Sequence, residues 1–216
     1  MYRTWGYSVP PGTGASATLE PMHGTTTVGI KINEAVILAA DKRATAGHLI
    51  ASRRVKKIVK IDEKIAMTIA GVVADAQTLA DSIRAEMKFY SITSKKTPTV
   101  KNYANLLSRI LFSSKWFPYM VQLIVGGYDT APRLFALDWY GSVLEEEKFT
   151  STGSGSPIAY GVLEDGYRDD MSVEEAVELA RKAVTAATRR DSASGDGVDV
   201  FIITNKGIEE RTLKLG

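Results

Sequence analysis

Gly24-Thr25-Thr26-Thr27-Val28-Gly29-Ile30-Lys31-Ile32, followed beyond Asn33-Glu34 by Ala35-Val36-Ile37-Leu38-Ala39-Ala40, is the stretch from which the fold can be read. In the first run Thr26, Val28, Ile30 and Ile32 alternate with Thr25, Thr27, Gly29 and Lys31. That period of two sends successive side chains to opposite faces of a β-strand. Asn33-Glu34 supplies a turn, and the unbroken apolar second run reads as a strand covered on both faces. Further strands are expected at Lys57–Ile61, Ile65–Ala70, Met120–Gly126, Arg133–Leu137 and Val198–Thr204, the last turning back through Asn205-Lys206-Gly207.

Helical periodicity fills the intervals. From Asp75 to Tyr90, the residues Ala76, Leu79, Ala80, Ile83, Met87 and Tyr90 form one stripe. Thr97-Pro98 offers the start of a second helix burying Tyr103, Leu106, Leu107 and Ile110. A shorter helix is expected from Ser156-Pro157, and Ser172 with Glu175 forms a capping box ahead of Val173, Ala176, Val177, Ala180, Ala183, Val184 and Ala187. The order is therefore strands, two helices, strands, two helices, strands. Such segregated blocks favour two stacked sheets with helix pairs outside over an alternating doubly wound sheet.

The 216 residues are 44% hydrophobic and 24% charged, ordinary for one sizeable soluble α/β domain, and nothing marks a second. A net charge of +2, with dispersed Lys and Arg, gives no electrostatic argument toward nucleic acid or membrane. No apolar run approaches the roughly 20 residues of a spanning helix. Absence of cysteine excludes thiol catalysis and fits a reducing interior, though it would equally suit a hot habitat. Ahead of Gly24, the residues Pro10, Pro11, Gly12, Gly14 and Pro21 break any periodicity, and no apolar core of a secretory signal is present. Two readings stay open for that segment: a removable pro-segment, and a plain tail that ends where the strand begins.

Cleavage after Gly24 would leave Thr25 with both a hydroxyl and a free α-amine, a nucleophile that carries its own base. A histidine-dependent triad is poorly supplied, since His23 and His48 are the only histidines and His23 would leave with the cleaved segment. Glycine at position 24 suits self-cleavage by permitting strained backbone angles and leaving the scissile carbonyl uncrowded. Taken locally, other features have plain readings. Asp41 with Lys57 could be a surface ion pair, Gly153-Ser154-Gly155 a turn, Asp191 and Ser194 loop caps, and Gly71 a tight turn.

Beyond these local signals, the chain resembles the proteasome β subunits of the archaeal type, within the N-terminal-nucleophile hydrolases. The resemblance spans Gly24 to Gly216. It rests on Gly24-Thr25-Thr26-Thr27-Val28-Gly29, Asp41-Lys42-Arg43, Lys56-Lys57, Ile69-Ala70-Gly71 followed by Ala74-Asp75-Ala76-Gln77, Ser151-Thr152-Gly153-Ser154-Gly155-Ser156-Pro157 and Arg190-Asp191-Ser192-Ala193-Ser194-Gly195.

The resemblance implies an α+β fold, a four-layer αββα sandwich of two mainly antiparallel sheets flanked by helix pairs. It implies a propeptide, residues 1–24, removed from a single threonine-protease domain, residues 25–216. Thr25 would be the nucleophile. Lys57, fixed by Asp41, would lower the pKa of the hydroxyl and amine, and the Gly71 N–H would stabilise the oxyanion. Ser154, Asp191 and Ser194 would hold the threonine amine and hydroxyl, with Arg43 supporting the network. Ala44, Val55, Ile69 and Val73 would line the pocket for the residue before the cut, favouring hydrophobic side chains, and Thr45 would pair with the substrate backbone. Lys56, next to Lys57 in an expected strand, should point to the opposite face.

The same resemblance implies heptameric β rings stacked on α-subunit rings, an ATP-dependent unfoldase, unfolded polypeptide substrates, a cytoplasmic location, and no metal or organic cofactor. Two other readings are a non-catalytic structural β subunit, against which Thr25, Asp41 and Lys57 all speak, and an N-terminal-nucleophile amidase acting on a small amide.

Overall fold

Val36, Leu38 and Ala40 point to one side of their strand while Ala35, Ile37 and Ala39 point to the other, and both sets are fully buried. That two-sided burial places a strand at the centre of a layered structure, as its continuous apolar run requires. The computed structural model describes residues 24–46 and 49–216, so the expected pro-segment up to His23 and His48 lie outside the described residues. The elements run β1 (Thr27–Lys31), β2 (Val36–Asp41), β3 (Ala44–Ala46), β4 (Leu49–Ser52), β5 (Ile58–Asp62), β6 (Ile65–Gly71), α1 (Val73–Ser94) and α2 (Val100–Ser113). They continue as β7 (Val121–Tyr128), β8 (Pro132–Leu137), β9 (Val143–Glu145), β10 (Phe149–Thr152), α3 (Ser156–Gly166), α4 (Val173–Thr188), β11 (Val198–Thr204) and β12 (Gly207–Leu213).

Two antiparallel five-stranded sheets, in the orders β10-β1-β2-β11-β12 and β5-β6-β7-β8-β9, form the middle layers, and β3-β4 stands as a separate hairpin. Three apolar clusters define the layering. Val28, Ile30, Ile37, Val200 and Ile202 pack with Leu163, Ala180 and Val184 of α3 and α4. Met67, Leu123, Val125 and Phe135 pack with Ile83, Leu107 and Leu111 of α1 and α2. Leu38, Phe201 and Ile203 of the first sheet meet Ala66, Ile124 and Leu134 of the second. The result is the αββα sandwich, with polar contacts crossing the sheet interface at one end. There the Thr68 hydroxyl donates to Thr27 Oγ1 at 3.1 Å, and Thr27 Oγ1 lies 2.6 Å from Thr152 Oγ1.

Local chemistry accounts for three of the four helix starts. Ser172 and Glu175 form the reciprocal capping box of α4, and Pro157 sits in the first turn of α3. Helix α2 is capped two positions later than the Thr97-Pro98 reading, by Thr99 in a box with Asn102, because those two can exchange bonds with each other's backbone. Helix α1 starts two residues earlier than Asp75 and runs to Ser94, beyond the expected end at Tyr90, which is exposed rather than on the buried stripe. Strand β1 begins at Thr27, not Thr25, since the Thr25 N–H and C=O are engaged by Ser154 and Gly155 instead of a neighbouring strand. Strands β3, β4, β9 and β10 have no counterpart in the sequence reading, being three or four residues long and, in β10, made of hydroxyl residues that hide the alternation. Among the described residues no helix is long and apolar enough to cross a membrane.

Candidate active site

Thr25 lies two residues before β1, where a loop from far along the chain meets it. Its N–H donates to Ser154 Oγ at 3.3 Å, its carbonyl accepts the Gly155 N–H at 3.4 Å, and its hydroxyl donates to the Gly24 carbonyl at 2.7 Å. The side chain that sequence reading singled out as a nucleophile therefore rests against the carbonyl of the bond preceding it.

Two carboxylates organise the surroundings. Asp41, at the end of β2, is fully buried and accepts four bonds: Oδ1 takes the Thr26 N–H at 3.0 Å and Lys57 Nζ at 2.8 Å, and Oδ2 takes the Arg43 and Gly195 N–H groups at 3.0 and 2.9 Å. A carboxylate buried this deeply is tolerable only because every donor around it stabilises the charge. Asp191, in the loop after α4, accepts the Ser154 hydroxyl at 2.6 Å and the Ser194 hydroxyl at 2.7 Å on Oδ2, and the Ala193 N–H at 3.1 Å on Oδ1. Since the Ser194 proton is directed to Asp191, the 2.8 Å contact between Ser194 Oγ and Thr26 Oγ1 has Thr26 as donor. The Asp41 and Asp191 groups thus meet at Thr25-Thr26.

Lys57 is nearly completely buried, and its burial lowers the ammonium pKa below that of an ordinary lysine, the Asp41 charge pulling in the opposite direction. Lys56 is exposed and lies 3.8 Å from Glu210. The expected opposition of the two lysines holds, although both precede β5 rather than lying in it; the ladder bond from the Ile69 N–H to the Lys57 carbonyl, 2.8 Å, continues the extended pairing by one residue. Arg43 bonds Asp196 at 2.8 Å and the Ser192 carbonyl at 2.8 Å, tying the Asp191 loop to the segment after β2.

Gly71 ends β6 at φ +125°, and a Cβ there would fall 2.0 Å from the Met120 carbonyl oxygen, so only glycine fits. It shares a cleft of about 250 Å³ with Gln122, Trp139, Gly153 and Ser154. The four pocket candidates are not gathered in the same way. Ile69 and Val73 line a cleft of about 470 Å³ whose rim is charged, with Lys56, Asp81 and Arg84, and Ala44 and Val55 are not part of its wall. Ile69 also packs into the core beneath α1, as apolar strand residues commonly do. Thr45 is buried in β3, opposite Ile50 of β4.

Space gives Gly24 a reason of its own: a Cβ on it would fall 1.6 Å from the Ala193 Cβ. Sequence reading passed over three residues, Thr26, Ala193 and Gln122, whose side chain accepts the Gly153 N–H at 3.2 Å. Thr26 and Ala193 lie in stretches that carry the resemblance, whereas Gln122 offered no such signal.

A family model described as proteasome subunit matches residues 22–203. Among curated proteins, proteasome subunit beta 2 of Aeropyrum pernix is 62% identical over 188 residues, covering 87% of this chain and 85% of that protein. Proteasome subunit beta 2 of Ignicoccus hospitalis is 58% identical over 195 residues, covering 90% and 92%. Proteasome subunit beta of Methanocaldococcus jannaschii is 50% identical over 193 residues, covering 88% and 86%.

Proposed function

The chain belongs to the proteasome subunit family as an archaeal-type β subunit, and we propose that it is a catalytic one, a threonine endopeptidase that cleaves unfolded polypeptides within an assembled core particle. The observation that carries this reading is the convergence of the Asp41–Lys57 pair and the Asp191–Ser154–Ser194 cluster on Thr25-Thr26. A structural subunit has no need of a buried lysine and a hydroxyl network around that threonine.

In the proposed cycle Thr25 Oγ1 attacks the substrate carbonyl while its own α-amine, directly or through water, takes the hydroxyl proton. The Gly71 N–H steadies the developing oxyanion, a contribution worth on the order of 10²–10³ in rate for such a donor. The leaving amine takes the proton, an ester remains on Thr25, and water hydrolyses it to release the acid and restore the hydroxyl. Lys57 lowers the cost of ionising the hydroxyl and disfavours the ammonium form of the amine. Ser154 and Asp191 orient the nitrogen.

The amine must first be released. In the precursor, Thr25 Oγ1 bonds to the Gly24 carbonyl carbon as the Gly24–Thr25 C–N bond breaks, and the hydroxyl proton ends on the freed nitrogen. Lys57 or a bound water serves as base. Water then cleaves the ester, leaving residues 1–24 as a peptide with a free carboxylate. The subunit works in a heptameric ring beside α subunits, in a reducing cytoplasm, fed by an ATP-dependent unfoldase; ring closure orders the loops that carry Ser154 and Asp191.

Intact-mass measurement tests this reading. In active particles assembled with α subunits the chain should begin at Thr25, whereas unassembled monomer should retain residues 1–24 and be inactive. An active complex whose chain still begins at Met1 would overturn the reading. Specificity gives a second test. Ala44, Val55, Ile69 and Val73 are all small or apolar, so digestion of a peptide library should favour cuts after Leu, Phe or Tyr over cuts after Arg or Asp. A basic or acidic preference would contradict the pocket assignment.

A further inference from the structure

Gly24 and Ala193 approach more closely than any side chain at position 24 would allow. A Cβ built on Gly24 lies 1.6 Å from the Ala193 Cβ, 2.9 Å from its Cα and 3.2 Å from its carbonyl carbon. Non-bonded carbons rest at about 3.5–4.0 Å, so the first of these contacts is prohibitive, the second is still too close, and only the third is merely tight. The glycine is therefore required by what faces it.

Ala193 is itself held in place. Its N–H donates to Asp191 Oδ1 at 3.1 Å, and the other oxygen of that carboxylate takes the hydroxyls of Ser154 and Ser194. Ser154 accepts the Thr25 N–H, so one carboxylate sets both the nitrogen of the scissile bond and the methyl that faces the residue before it. With residue 24 seated against that methyl, its carbonyl accepts the Thr25 hydroxyl at 2.7 Å.

We infer that Ala193 is a specificity-determining residue for self-cleavage: its methyl is the wall that restricts residue 24 to glycine. The inference rests on the self-cleavage reading above. A side chain at position 24 must move the carbonyl by an appreciable part of the missing separation, and a displacement of about 1 Å can cost about 10²-fold in rate. Because the Cβ–Cβ contact dominates, removing the Ala193 methyl should relieve most of the conflict. The 2.9 Å contact to Cα leaves the relief incomplete.

The experiment is a double-variant cycle in the full chain assembled with α subunits, following loss of residues 1–24 by mass spectrometry, with assembly checked by gel filtration. Gly24→Ala should slow self-cleavage by about 10²-fold. Ala193→Gly alone should still cleave, because the N–H to Asp191 is retained, and Gly24→Ala combined with Ala193→Gly should recover at least about a tenth of the wild-type rate, a rescue that general loosening of the loop would not give. Gly24→Ala cleaving at the wild-type rate would overturn the inference. So would a double variant no faster than Gly24→Ala, or an Ala193→Gly chain that fails to cleave, since the methyl is assigned no positive chemical role. Wild-type chain left uncleaved in active particles would instead remove the self-cleavage reading, and the inference with it.

Discussion

Peptide hydrolysis by assembled particles should fall by a factor on the order of 10⁶ when Thr25 is replaced by alanine, the scale of loss when a covalent nucleophile is deleted. The particle should remain intact. Thr25 precedes β1, and its two backbone bonds, from its N–H to Ser154 and to its carbonyl from Gly155, do not involve the side chain. The substitution removes the hydroxyl that donates to the Gly24 carbonyl, a bond whose net contribution to stability is about 1 kcal/mol. The Thr25→Ala chain should also keep residues 1–24, because the same oxygen attacks in both reactions. Thr25→Ser supplies the oxygen without the methyl and should restore part of both. A fluorogenic peptide turned over by Thr25→Ala particles at close to the wild-type rate would exclude Thr25 as the nucleophile.

Lys57→Ala and Lys56→Ala make a matched pair from adjacent residues. Lys57 is buried against Asp41 at 2.8 Å, and its loss leaves a buried carboxylate without its cation. Removing one partner of such a pair typically costs about 3–5 kcal/mol, which makes activity per assembled particle the proper readout. Three backbone N–H groups still solvate Asp41, from Thr26, Arg43 and Gly195, so the site keeps its frame. Hydrolysis should drop about 10²–10⁴-fold, the usual range for a group that manages a proton in the transition state. Lys56 is exposed, and its 3.8 Å contact with Glu210 is of the kind worth about 0–1 kcal/mol, so Lys56→Ala should match wild type. Equal losses in the two variants would overturn the assignment of Lys57.

Much of the fold was legible because burial leaves a period in the sequence. Ala35 to Ala40 is apolar at every position since its strand lies between helices and a second sheet. Ser172 and Glu175 announce the start of α4 because the residues that satisfy its first N–H groups are local. Short elements left no such mark: β10 is Phe149-Thr150-Ser151-Thr152, and what makes it a strand is pairing with β1, more than a hundred residues earlier. Of the site, the residue types were visible through the resemblance, while their geometry was not. Nothing local in Ser154 indicates that it accepts from Thr25, 129 residues away in the chain, and donates to Asp191. Nor does the apolar character of Ala44, Val55, Ile69 and Val73 tell which share a cleft and which belong to the core.

What the amino-acid order determined by itself is whatever depends on neighbours within a few positions: the order of strands and helices, the caps, the opposed lysines at 56 and 57, and a threonine placed after glycine where cleavage would create a nucleophile with its own amine. Tertiary structure decided what depends on segments remote in sequence sharing one small volume. It surrounded Asp41 with four donors from four places in the chain. It also added a reason for Gly24, which the methyl of Ala193 pressing on it requires. Steric exclusion acts between atoms that touch, and which atoms touch is known only once the chain has folded.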